Sequence, residues 1–330
     1  MIRATLLCLL LVLPGRIADA ACAGTDLWPT LPDADRAVIE AAVDSIPYPR
    51  GNFWRATRGG EVVHLVGTYH FDDPRHDAIA ERLAPIIASA ETLLVEAGPE
   101  EQERLKSEMA RRPDRLFLVS GPTLPEQLEK ADWQALASAM QARGIPAFMA
   151  SKMQPWYVSM MLGVPPCAMT ELGQGAHGLD QRVIEMAEAA EIPVRALEPY
   201  DTVFGLFDTM APKAQIDMIL TTLAMGDRAE DYSATLTAAY FNEDVRITWE
   251  LGRLAAYAMP GATTESVDAD MAEMEEALMN RRNRSWLPVI EAASAQGPTF
   301  VAFGALHLSG QDGVLALMER AGFTVERLTF

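Results

Sequence analysis

The apolar residues of this chain fall into short continuous runs separated by stretches with helical spacing. Residues 62–67 read as a buried strand running into Thr68-Tyr69-His70. Residues 74–90 place Ile79, Leu83, Ile86 and Ile87 on one helical face. Residues 92–95 are a second buried strand ending on Glu96, and Pro99 opens a helix where its missing N–H costs nothing. Helical periodicity holds over 124–142, 155–162 and 178–190, with Gly173, Gly175 and Gly178 marking a loop before the last. Residues 193–197 form another strand, ending on Glu198. From about 201 to about 290 the pattern predicts only amphipathic helices, a helical insertion or cap. Residues 298–306 are the most apolar strand and lead into His307; a helix over 314–320 and a strand over 324–328 follow. Strands alternating with helices predict an α/β fold with a largely parallel central sheet flanked by helices, one domain over 21–330. No element is assigned between residue 21 and the strand at 62.

The first residues carry a different signal. Arg3 precedes a short apolar run, and Ala18-Asp19-Ala20 offers small residues where a signal peptidase reads. Residues 1–20 therefore read as a Sec-type signal peptide, cut after Ala20, with an uncleaved anchor as the alternative. A lipoprotein is disfavoured by Asp19, three residues before Cys22. No other run reaches spanning length, so the mature chain is expected to be periplasmic or secreted, with no stable membrane insertion. The balance of 46 acidic against 27 basic residues argues against nucleic acid as a partner. Of three cysteines, Cys8 leaves with the leader. Cys22 and Cys167 remain as a possible disulfide in an oxidising compartment, or as two separate thiols.

The chemistry gathers at strand ends. His70, Glu96, Glu198 and His307 each finish an apolar run, and in a parallel sheet the carboxyl ends share one edge where ligands bind. The two histidines share a local grammar, Gly67-Thr68-Tyr69-His70 and Gly304-Ala305-Leu306-His307; a glycine three residues ahead of each lets the backbone bend or be approached closely. Two capping histidines are the plainer alternative. Two imidazoles with Glu96 suit a divalent metal, Mn, Co or Zn, able to acidify a bound water. A salt bridge at the sheet edge is the plainer reading of Glu96, and a turn before Pro199 that of Glu198. Arg282 interrupts the stripe Met271, Met274, Leu278 and Trp286, so its guanidinium calls for an oxyanion or a carboxylate such as Glu96 or Glu198, with Asn283 beside it. Asp180 reads as a helix cap before a catalytic group. His64 reads as core or surface, His76 as solvated, and His177 as a loop residue able to visit the site. No Gly-x-Ser-x-Gly, His-Glu-x-x-His, phosphate loop or zinc-spaced cysteine pair occurs, which disfavours serine hydrolases, thermolysin-like proteases, NTPases and dinucleotide enzymes.

Together, Gly67-Thr68-Tyr69-His70, Glu96 after Leu-Leu-Val, Gly178-Leu179-Asp180, Leu197-Glu198, Arg282-Asn283 and Gly304-Ala305-Leu306-His307-Leu308 resemble the TraB/GumN family, which includes the pheromone-shutdown proteins and the Tiki proteases. The likeness runs from about residue 50 to the end, on order and spacing of short motifs; Tyr69 stands where a Met or Ile is common. It implies a fold related to the erythromycin-esterase and ChaN haem-binding proteins. For Tiki-like members it implies metal-dependent proteolysis, carried over here onto His70, His307 and Glu96.

These readings combine into an expectation of a metal-dependent hydrolase, a peptidase acting on exported peptides or proteins. His70, His307 and Glu96 would be ligands, Glu96 also a base, and Arg282 a clamp. The alternative is a periplasmic protein that binds haem, a metal or a peptide without turnover.

Overall fold

A computed structural model describes residues 22–330 apart from 176, 209 and 260, and only the backbone of 203 and 227. The signal peptide expected over 1–20 lies outside the described residues. One sheet of six strands organises the chain: β1 (Phe53–Arg58), β2 (Glu61–Thr68), β3 (Thr92–Val95), β4 (Val194–Ala196), β5 (Thr299–Gly304) and β6 (Thr324–Leu328), in the order β4-β3-β5-β2-β1-β6. β4, β3, β5 and β2 are parallel, and only β1 runs against its neighbours. The sheet is thus largely parallel, as the alternation of elements predicts.

β1 is the strand the hydrophobic pattern does not yield. It pairs with β2 through a hairpin whose last rung is Arg58 opposite Glu61, leaving Gly59-Gly60 as the turn, and Gly59 sits at φ +57°. β1 also receives β6, which forms that edge of the sheet.

Alternation along the strands sends side chains to two cores. Val66, Phe300, Ala302, Leu93 and Val95 meet the helices His76–Ile87 and Leu179–Ala189 on one face. Val63, Leu65, Leu94, Val301 and Phe303 meet Trp286 and Ile290 of the helix Arg281–Ser294 on the other. A further cluster lies away from the sheet, where Ile219 of the helix Pro212–Ala224 packs with Leu162 and Met140. The stretch from 201 to 290 holds only helices among its described residues, as its pattern predicts. No helix among the described residues is long and apolar enough to cross a membrane.

Cys22 and Cys167 are bridged, with Cα atoms 5.3 Å apart across 145 positions of sequence. Closing so long a loop removes much of the unfolded chain's freedom. Reduction, or the pair Cys22→Ser and Cys167→Ser, should therefore lower the unfolding free energy by up to about 5 kcal/mol. Urea unfolding with and without reductant measures this; coincident curves would mean the bridge adds nothing.

Candidate functional site

Because β2, β3, β4 and β5 are parallel, their carboxyl ends deliver His70, Glu96, Glu198 and His307 to one edge of the sheet. Chain geometry sharpens the convergence. β5 ends at Gly304 and the chain turns at once into a short 3₁₀ helix, Ala305–His307, which aims His307 back over the strand ends. That turn lies so close to β2 that a Cβ on Gly67 would come within 2.7 Å of Leu308 and 2.8 Å of Ala305. Gly67 is therefore a packing requirement. A Cβ on Gly304 would lie 3.3 Å from Glu96 Oε1, 3.8 Å from His307 Cδ2 and 3.9 Å from His70 Nε2.

Arg282 reaches this edge from the long helix behind the sheet. The helices Thr264–Glu275 and Arg281–Ser294 are joined by one π-helical stretch, Glu276–Asn280, which resets the helical phase just before Arg282. Every N–H of its guanidinium is engaged. Nε donates to Glu198 Oε2 at 2.9 Å, and Nη2 donates to Glu198 Oε1 at 2.7 Å and Glu96 Oε2 at 2.6 Å. Nη1 donates to the Leu278 carbonyl at 3.0 Å and to His307 Nε2 at 3.2 Å. Of the two roles the sequence leaves open, the carboxylate clamp is the one this geometry supports; no N–H remains for an oxyanion. Glu198 also accepts from Trp286 Nε1 at 2.9 Å, and Glu96 Oε1 from the Gly304 amide at 2.6 Å.

The two imidazoles sit in opposite environments. His307 is buried, its ring tilted against Trp286 with centroids 4.5 Å apart, and its Nδ1 is 2.6 Å from Asn283 Oδ1. Asn283 Nδ2 donates to the Asp312 carbonyl, so its oxygen is the acceptor, His307 Nδ1 carries the hydrogen, and Nε2 presents a lone pair to Arg282. Burial lowers the His307 pKa to about 4, with Arg282 and His70 adding and Glu96 opposing. The His70 side chain is 62% exposed, with Nδ1 3.3 Å from Asp180 Oδ1. That carboxylate raises the His70 pKa to about 9, against desolvation and Arg282 and with help from Glu96. Glu96 is pushed up by burial and down further by His307, Arg282 and His70, ending at about 2.

Several sequence readings need correction. Asp180 is not a cap: Gly178 is the N-cap residue of its helix, with no side-chain cap bond, and Asp180 instead faces His70. The start of that helix lies on the His70 backbone, since Leu179 N donates to Tyr69 O and a Cβ on Gly178 would strike Tyr69 O at 2.2 Å. His76 is fully buried rather than solvated, bonded to the Phe71 carbonyl and ringed by Tyr69, Tyr240 and Phe241. His177 pairs with Glu185 on the surface, and His64 stacks between Phe53 and Phe300.

His70, His307 and Glu96, the expected metal set, share this edge but are not arranged as a ligand group. Among the described residues no three His, Cys, Asp or Glu side chains form a group able to hold a metal ion. Arg282 stands among them, donating to His307 Nε2 and Glu96 Oε2.

A model of the TraB/PrgY/gumN family matches residues 52–327. The chain is also 24% identical over 260 residues to an uncharacterized protein, YbaP, of Escherichia coli strain K12, covering 78% of this chain and 87% of that one. The YbaP protein of Shigella flexneri matches to the same extent.

Arg282→Ala would strand two mostly buried carboxylates, so it should cost about 3–5 kcal/mol of unfolding free energy, and Arg282→Lys should recover only part of that loss because an ammonium cannot span both acids. Denaturant titration that finds Arg282→Ala as stable as the parent would refute the clamp. A proton NMR titration of the free chain should place His70 near pH 9 and return it toward the ordinary histidine range in Asp180→Asn. An unmoved midpoint would remove Asp180 from the site.

Proposed function

The chain belongs to the TraB/PrgY/gumN family, and from that premise we propose that it is an exported hydrolase that cleaves peptides or proteins at the edge shared by its two Gly-x-x-His motifs. One observation carries this: an exposed imidazole backed by a carboxylate stands beside a mostly buried glutamate whose position is locked by Arg282. At one sheet edge, surroundings that keep His70 protonated and Glu96 ionised at neutral pH suit divided acid and base duties. Export is supported by the leader-like sequence and by a disulfide, which persists only in an oxidising compartment.

The chemistry balances with the residues present. Water adds to the scissile carbonyl as Glu96 takes one of its protons. The carbon–nitrogen bond breaks as His70, protonated at neutral pH, gives its proton to the leaving nitrogen. Glu96 then returns its proton to His70, and the products are a carboxylic acid, which passes its proton to solvent, and an amine. Asp180 holds His70 in orientation, His307 and Asn283 brace Arg282, and Arg282 holds Glu96.

The decisive experiment uses the chain expressed without residues 1–20, treated with chelator and offered a mixed peptide library read by mass spectrometry, with and without Mn, Co or Zn. Cleavage is expected to survive chelation and to fall at least about a hundredfold in His70→Ala and Glu96→Gln. Its rate should be flat at neutral pH and decline as pH rises through about 9, where His70 loses the proton it donates. Cleavage that needs added metal would restore the ligand role of His70, His307 and Glu96. Stoichiometric binding of peptide, metal or haem with no product would overturn the enzyme reading in favour of a binding protein.

A further inference from the structure

Thr68 closes β2 and is 4% exposed, yet its hydroxyl has no hydrogen-bond partner among the described residues. A buried hydroxyl left unmade costs free energy that a valine of the same shape would not, so its presence needs a reason. Its place in the sheet supplies one. Thr68 lies two residues beyond Val66, hence on the same face, and Val66 and Ala302 are register partners that share one core. Two positions further along the same register, Thr68 is opposite Gly304. Neighbouring strands lie about 4.8 Å apart, so the Thr68 side chain stands one strand from the point where a Gly304 side chain would begin. That point is ringed by Glu96 Oε1, His307 Cδ2 and His70 Nε2.

Resting on the hydrolytic reading above, we infer that Thr68 is a positioning residue that holds the attacking water over Gly304. One water hydrogen goes to Thr68 Oγ1 and the other to Glu96 Oε1, whose remaining lone pair is not taken by the Gly304 amide. The water's own lone pair is then turned outward, toward a carbonyl presented beside His70. Glu96 receives the proton when the new carbon–oxygen bond forms, and Thr68 neither gains nor loses one. The missing side chain at Gly304 makes room for the water, and the hydroxyl across the rung fixes its direction.

The test compares Thr68→Val, which keeps the shape and deletes the hydroxyl, with Thr68→Ser, which keeps the hydroxyl and deletes a methyl. On a peptide the parent cleaves, Thr68→Val should lower kcat about ten- to a hundredfold with KM within about twofold, and Thr68→Ser should restore most of the rate. If Thr68→Val does not fold, Thr68→Ala against Thr68→Ser gives the same contrast. A fully active Thr68→Val enzyme would overturn the inference while leaving the hydrolase standing. If the parent cleaves nothing, high-resolution crystal structures decide separately. An ordered water within hydrogen-bond reach of Thr68 Oγ1 and Glu96 Oε1, lost in Thr68→Val, supports the water site, and its absence from the parent rejects it.

Discussion

One buried guanidinium holds this site together. Arg282 lies between two mostly buried carboxylates on different strands and a neutral imidazole on a third, and donates to all of them. Charges taken out of water are tolerated only when paired and fully hydrogen-bonded. Glu96, Glu198 and Arg282 could not be buried separately; together they neutralise most of one another's cost. The geometry they enforce is narrow, because a guanidinium fork accepts carboxylates only in its own plane. The ends of β3, β4 and β5 are thereby tied to the helix behind the sheet. The same engagement decides what Arg282 cannot do. With every N–H taken it has none to offer a substrate.

That fixed cation also explains why two histidines with the same local sequence motif behave differently. His307 is enclosed by Trp286, Phe303 and Arg282, surroundings that disfavour a second positive charge, so it stays neutral and acts as an acceptor. His70 stands at the open side, beside Asp180, in surroundings that favour the charged form. Identical side chains at equivalent strand ends thus become a buried neutral acceptor and an exposed imidazole that favours its charged form, through burial and neighbours alone.

The strand-end logic was legible because it needs only apolar runs and the rule that parallel strands share an edge; His70, Glu96, Glu198 and His307 follow from it. Other features were not. β1 alternates Trp54 and Ala56 with Arg55 and Thr57 in too short a run to stand out, although Gly59-Gly60 between it and β2 is a hairpin signal in its own right. Asp180 looked like a cap because its partner lies 110 positions away in sequence, and local spacing cannot express such a contact. His76 looked solvated beside Asp72, Asp73 and Arg75, but the aromatic cage that buries it includes Tyr240 and Phe241 from a distant helix. The π-helical stretch before Arg282 leaves no residue pattern at all; it is set by tertiary packing.

The repeated Gly-x-x-His motif is better understood as an interlock than as two copies of one device. Gly67, in the first motif, is bare because Ala305 and Leu308 around the second motif press against it. Gly304, in the second, is bare where His70 of the first and Glu96 approach. Gly67 therefore clears space for the second motif, and Gly304 keeps open the point on which Glu96 and both histidines border. This dependence makes the pair more specific than two independent strand ends, since a side chain at Gly67 disturbs residues around the opposite histidine. It also explains why a glycine and a histidine separated by a fixed turn recur at both ends of a long chain. The constraint acts across the β2–β5 pairing, and it is felt only when both strands are in register.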